Sequence, residues 1–303
     1  MVDLMIQSGC DVHCRTLEGN TALHVAAQKR QPEVIRSLIQ GGLPIDVGGK
    51  ENQSALYCAS RLGLSNLASM LIDLGADVNR VTDSGFAPLH DVAESDKVVV
   101  MYVLLKHGAN INCADSSGRT PVMMAASGGS ESTFRMLRAH GAELNIVSDL
   151  GWTILHFAAR GGCVGIAKLL VEDGYDLNTK ELGLGHTPLL TAARHGHLDF
   201  IRYLAEEGAN MYATSSRGEN AVHIACPGGE TKHIAVVKLL IDLGLVCDQA
   251  SDSGHTPLML AAEHKNLALV TMLVEHGAKL DIITESGYGP LHAAAQGGKR
   301  PSP

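Results

Sequence analysis

The chain has 303 residues, with Lys+Arg 24 against Asp+Glu 32 and a formal net charge of −8. A hydrophobic content of 45% excludes a disordered chain, and the acidic balance argues against a general nucleic-acid binder, which needs a basic stripe to displace counterions. The longest apolar run, Val98 to Leu105, is far shorter than the roughly 20 residues of a bilayer span, so no direct membrane insertion is expected.

From the start, Met1 to Gly9 reads as the second helix of a preceding unit, and no basic region leads into an apolar stretch as in a secretory signal. Cys10 and Cys14 are the closest pair among seven cysteines. The odd count, the irregular spacing and the lack of C-x-x-C point to free thiols in a reducing compartment, with no zinc site.

Thr21-Ala22-Leu23-His24 is the first of a series of similar tetrads. Equivalents begin at Ser54, Ala87, Thr120 and Thr153, each 33 residues on, then at Thr187, Asn220, Thr256 and Gly289 after 34, 33, 36 and 33. Thr or Ser at the start caps a helix, and Pro88, Pro121, Pro188, Pro257 and Pro290 suit a first helical turn. Small pairs such as Ala26-Ala27 and Ala158-Ala159 let neighbouring helices approach. Gly63, Gly162 and Gly196 then stop the short helix. A second helix follows with i, i+3, i+4 apolar spacing, as in Val236, Val237, Leu239 and Leu240. It ends at a Gly, and an Asp/Asn/Gly-rich stretch turns back toward the next tetrad.

Departures mark particular units. Leu43 to Gln53 replaces a regular finger. In the third unit Asp91 takes an apolar position and Asp96 replaces the helix-ending Gly, which predicts a weakened repeat. Leu182-Gly183-Leu184 holds an extra residue, and in the seventh unit Asn220 replaces Thr while Pro227 to Lys232 lengthens the turn.

These units resemble the ankyrin repeat. The T-P-L-H-x-A-A core of that family is met by Thr153-Ile154-Leu155-His156-Phe157-Ala158-Ala159, and its finger by Gly75-Ala76-Asp77-Val78-Asn79. The resemblance covers essentially the whole chain. It implies an all-α, ankyrin-repeat solenoid of helix-turn-helix units with β-hairpin-like fingers. The expected organisation is a single domain over 1–303, with a partial repeat at 1–14 and a truncated last repeat at 284–303. Ends without a full polar cap suggest a fragment of a longer protein.

Most chemistry-bearing residues have a structural reading. His24, His90, His156, His223 and His292 are the tetrad histidines of the family, expected to bond between units. His107, His140 and His276 sit at helix C-termini, where the dipole favours them. His195-Gly196-His197 reads as chance proximity. No nucleophile elbow or phosphate loop is present, so the chain is expected to be no enzyme, to use no cofactor and to hold no metal.

In such arrays partners meet the fingertips and the exposed ends of the first helices. The matching positions here give Phe86, Arg119, Trp152, His186 and Tyr288 before the tetrads, and Arg160 and Arg194 after the Ala pairs. Aromatics and Arg dominate interface energies. The expected function is a protein-binding scaffold, monomeric, cytoplasmic or nuclear, with no nucleic-acid partner. The alternative is a regulatory or substrate-adaptor region of a larger enzyme, ubiquitin-ligase adaptor or channel. The resemblance also suggests hydroxylation of the finger residues Asn79, Asn112, Asn145 and Asn178, each lying eight residues after a Leu.

Overall fold

A computed structural model describes residues 1–297; the end of the truncated last repeat, 298–303, lies outside the described residues. The chain divides into two compact units, Met1–Asp149 and Leu150–Pro303. The first holds α1 (Val2–Gln7), α2 (Ala22–Gln28), α3 (Pro32–Gln40), α4 (Ala55–Arg61), α5 (Ser65–Asp73), α6 (Pro88–Glu94), α7 (Val98–Lys106), α8 (Pro121–Gly128) and α9 (Glu131–Ala139). The second holds α10 (Ile154–Gly161), α11 (Val164–Glu172), α12 (Pro188–His195), α13 (Leu198–Glu206), α14 (Ala221–Ala225), α15 (Thr231–Asp242), α16 (Pro257–Glu263), α17 (Leu267–Glu275) and α18 (Pro290–Gln296). Helix α1 packs on α3 as the second helix of a preceding repeat would.

Within each unit, each repeat stacks on the next through two apolar rows. In the first helices, Ala27, Ala59, Ala93 and Ala126 of the first unit and Ala159 and Ala193 of the second are fully buried. In the second helices, Leu71, Leu104 and Leu137, and in the second unit Leu170, Leu204, Leu240 and Leu273, have no exposed surface. Full burial of one such Leu is worth about 1.5–3 kcal/mol, so the regular Leu row is a main source of cohesion.

The fingers contain no strand among the described residues; an isolated bridge joins Arg15 to Thr21. Each finger closes on itself instead, as in Thr82 N–H to Phe86 O and Ser215 N–H to Glu219 O. Successive fingers are joined by single backbone bonds, Ser116 N–H to Ser84 O in one unit and Ser216 N–H to Leu184 O in the other. Hairpin-like therefore describes their path rather than a sheet.

The tetrad histidines form the repeat-to-repeat clamps. His24, His90, His156 and His223 place Nε2 2.8, 3.0, 3.0 and 3.1 Å from the carbonyls of Gln53, Arg119, His186 and His255. Their Nδ1 atoms lie 3.2, 3.0, 3.2 and 3.3 Å from the amides of Thr21, Ala87, Thr153 and Asn220. An amide can only donate, so Nδ1 accepts and Nε2 carries the proton. Burial holds all four rings below the usual histidine range. The clamps occupy alternate repeats: Tyr57, Met123, Leu190 and Met259 stand at the intervening positions.

Helix stops follow the expected chemistry. Gly63, Gly129, Gly162 and Gly196 are left-handed, with φ of 74, 68, 69 and 75°. Arg30, Asp96 and Lys265 adopt φ of 56, 52 and 56° at the equivalent turns without glycine's freedom. Asp96 is compensated by accepting the Thr133 amide at 2.9 Å. Asn220 still caps its helix, taking the Val222 and His223 amides at 3.1 Å each. In the irregular second finger, Lys50–Asn52 forms a short 3-10 turn.

Candidate functional site

In the first unit Phe86 and Arg119 come together. The guanidinium of Arg119 lies 5.2 Å from the Phe86 ring centroid, and the Phe86 ring is 5.2 Å from that of His90. Asp115 fixes Arg119 through contacts of 2.8 Å to Nε and 2.6 Å to Nη2. Burial alone would raise the Asp115 pKa, but the Arg119 bonds and two finger amides outweigh it and hold the carboxyl below its usual range. Phe86 and Arg119 are half-buried, so this cation–π pair shows one edge to solvent.

Asp91 is not a bare charge in the core. The Tyr57 hydroxyl donates to it at 3.5 Å, and Lys97 approaches to 3.9 Å. Burial raises the Asp91 pKa against the opposing pull of Lys97 and Arg61. Tyr57, at a tetrad position without His, thus makes its own link to the next first helix.

In the second unit Trp152 and Tyr288 pack on their own tetrad histidines. Trp152 packs 5.9 Å from His156 and 5.4 Å from Phe157, and Tyr288 lies 5.7 Å from both His255 and His292. Phe86, Trp152 and Tyr288 each precede their own tetrad His by four residues, a spacing that could have been read from the sequence. The Tyr288 hydroxyl also donates to Gln296 Oε1 at 2.6 Å.

His186 departs from expectation. Its position before the tetrad predicts an exposed fingertip, yet the residue is only 4% exposed, and its carbonyl serves as the acceptor for His156. The longer finger explains this. Glu181, itself buried, accepts the Gly183, Leu184 and His186 amides, and so draws the chain inward before His186. Those bonds hold its carboxyl below the usual range, although burial opposes them. A buried imidazole offers no side-chain surface to a partner.

Arg160 and Arg194 are exposed in the last turns of α10 and α12. Beside them lies a cluster in which His195 and His197 meet by more than chance proximity in sequence. The rings of His195 and His197 stack with centroids 6.2 Å apart, His197 Nε2 bonds the Arg160 carbonyl at 2.8 Å, and His233 Nε2 bonds the Arg194 carbonyl at 3.1 Å. These partners lie 37 and 39 residues apart, so nothing local announces them. Among the described residues, no group of three or more His, Cys, Asp or Glu is arranged to hold a metal ion.

The finger asparagines are also linked. Asn79 Oδ1 accepts the Asn110 amide at 2.7 Å while its Nδ2 donates to Gly108 O at 3.2 Å. Asn112 exchanges bonds with Glu143 at 2.9 and 3.0 Å, and Asn178 accepts the Asn210 amide at 2.7 Å. Asn145 is exposed. The leucines eight residues earlier, Leu71, Leu104, Leu137 and Leu170, are the buried row of the second helices.

Comparison with known proteins gives a consistent result. The family description "Ankyrin repeats (3 copies)" matches residues 1–82, 65–148, 89–181, 179–249 and 230–301. The ankyrin repeat domain of human ASB11 matches with a TM-score of 0.61 and 26% identity, covering 75% of this chain and 99% of that one. Among curated proteins, the B-cell lymphoma 3 protein homolog of Mus musculus is 30% identical over 103 residues, 32% of this chain and 23% of its own length. Protein phosphatase 1 regulatory subunit 12A of Mus musculus is 36% identical over 81 residues, 26% of this chain and 8% of its length. E3 ubiquitin-protein ligase KEG of Arabidopsis thaliana is 27% identical over 100 residues, 33% of this chain and 6% of its length. The matched stretch is thus under a quarter of each of these curated relatives.

Proposed function

The chain belongs to the ankyrin-repeat family, and from that premise we propose that it is a non-enzymatic protein-interaction module whose partners meet Phe86 and Arg119 on the first unit and Trp152, Arg160, Arg194 and Tyr288 on the second. One observation carries the reading. The tetrad histidines are spent on tying repeats together and the carboxylates of Asp115 and Glu181 on closing their own fingers, whereas Arg160 and Arg194 stand exposed at matching ends of consecutive first helices. Residues that repeat the same geometry with different chemistry are what a fixed scaffold offers a partner. The module acts as a monomer without a cofactor, in the cytoplasm or nucleus. Affinity capture with the intact array, beside an array carrying Trp152→Ala and Arg160→Ala, tests it. Equal capture of every protein by both arrays overturns the assignment of this surface.

A second reading treats the array as the partner-binding region of a longer regulator or adaptor. Its support is the length of the relatives, which include a phosphatase regulatory subunit and a ubiquitin ligase and extend far beyond the matched stretch. Sequencing the complete transcript distinguishes the two readings.

A further inference from the structure

The turns that follow the first helices of the second unit gather basic side chains from three successive repeats. Arg160 comes from the last turn of α10, Arg194 and His195 from that of α12, His197 from just before α13, and Lys232 from the first turn of α15. The scaffold places them. The His197 ring lies over Gly162, so that a Cβ there would collide with it, and its Nε2 is held by the Arg160 carbonyl. The Lys232 stem lies across Gly196, where an added Cβ would come within 2.7–2.9 Å of Cγ, Cδ and Cε. Two left-handed glycines therefore act as seats for the basic side chains of the following repeat.

The cluster has little compensating negative charge. Glu230 pairs with Lys232 at 3.2 Å, with side chains 69% and 46% exposed. Among the described residues neither the Arg160 nor the Arg194 guanidinium has a carboxylate within 4.0 Å. His195 responds to this surplus: burial, then His197, Arg160, Arg194 and Lys232, push its pKa down to about 4. The equivalent positions elsewhere hold Gln28, Arg61, Glu94 and Ser127 in the first unit and Pro227, Glu263 and Gln296 in the second, so Arg160 and Arg194 are the one pair of consecutive arginines in this row. A local positive field on a chain of net charge −8 steers and orients an anionic partner.

We propose that this surface docks an acidic peptide segment of the protein partner, with Asp or Glu carboxylates taken by the Arg160 and Arg194 guanidinium groups and by the Lys232 ammonium. The inference rests on the interaction-module reading above and adds the chemistry of the partner. Guanidinium groups suit carboxylates because they bind them through two parallel N–H donors. The cluster is short, Glu263 follows it along the same row, and the chain as a whole is acidic; a bound peptide meets these limits better than a long polyanion does.

The test is fluorescence anisotropy with the full chain and a labelled decapeptide of alternating Glu and Ala, beside a Gln/Ala control and a single-stranded oligothymidylate. The Glu peptide should bind and the Gln peptide should not. Raising salt from about 50 to about 300 mM should weaken binding at least about tenfold. Arg160→Glu with Arg194→Glu should weaken it by a similar factor at unchanged circular dichroism, Lys232→Glu should act in the same direction, and Arg36→Glu on α3 should leave it unchanged. Absent binding, insensitivity to the charge reversals, or equal competition by the oligothymidylate overturns the proposal. If a captured partner instead needs Phe86 or Trp152 but not Arg160, Arg194 or Lys232, the interaction module stands and the acidic-peptide site falls.

Discussion

His156 Nε2 lies 3.0 Å from the His186 carbonyl, so the imidazole of one repeat closes on the finger of the next. The same ring accepts the Thr153 amide at its other nitrogen. One side chain therefore caps its own helix and ties two repeats, and it can do so only while neutral.

Acid should loosen the array in the histidine range. His24, His90, His156 and His223 have folded pKa values below 6.5, mainly through burial. Below that pH the unfolded chain binds more protons than the folded one, so the contribution is complete above 6.5 and is lost as pH falls toward the folded values. Urea midpoints should be level above neutrality and decline as pH drops below 6.5. A second decline in the carboxylate range should follow from Asp115 and Glu181, whose folded pKa values are lowered. His156→Ala should cost about 3 kcal/mol, from a cavity and two unpaired backbone groups, and should reduce the first decline.

The left-handed turns without glycine should be improvable. Lys265→Gly should raise stability by about 1 kcal/mol, since an L-residue is disfavoured there by about that much. Asp96→Gly should gain less, because it gives up the bond to the Thr133 amide. Equal gains in chemical denaturation would show that this bond contributes nothing.

Glu181 matches the length of its finger. Asp115 serves a tetrad beginning five residues on, and Glu181 serves one beginning six residues on. One extra methylene spans one extra residue. Glu181→Asp should cost about 2 kcal/mol, as charged hydrogen bonds to the finger amides are lost. Deleting Gly183 in the same chain should restore much of the loss, and thermal melts of the two variants provide the comparison.

Interface and core should separate at two arginines and one tryptophan. Arg160→Ala and Arg194→Ala should weaken partner binding with melting unchanged. Trp152→Ala should weaken it by about 2 kcal/mol and also lower the melting temperature, because the indole packs on His156 and Phe157. Unchanged affinity in all three, measured by calorimetry with a captured partner, would move the interface elsewhere.

Asn79, Asn112, Asn145 and Asn178 remain proposed hydroxylation sites, with Asn79 the first to examine. Modification needs the finger to open, since the Asn79 amide bonds both Gly108 and Asn110. In cells that contain the asparaginyl hydroxylase, mass spectrometry should show a gain of about 16 Da, one oxygen, on the Asn79 peptide. Full coverage without that gain rejects the site.

The repeat itself was legible because its signals are local: a cap, a Pro, an Ala pair and a Gly within one short helix, as from Thr187 to Gly196. Gly162 and Gly196 could be assigned as stops from position alone. The features that depend on the neighbouring repeat could not. His197 and His233 find carbonyls far back in sequence, Tyr57 finds Asp91 in the next first helix, and Asn79 finds an amide in the next finger. The burial of His186 is hidden from the sequence for a related reason. Its exposure depends on how Glu181 gathers a longer loop, and residue type alone carries no record of that.

The alternation of clamped and unclamped repeats gives the array a mechanical rhythm. His24, His90 and His156 recur 66 residues apart, so within each unit imidazole-tied pairs of repeats adjoin seams without such a tie. Under a stretching force each imidazole tie should add resistance within its own pair of repeats. A tied pair that gives way as one should release roughly 220–240 Å of extended chain at about 3.3–3.6 Å per residue. A sawtooth of that spacing, twice the length of one repeat, is the signature such an array writes on a force trace.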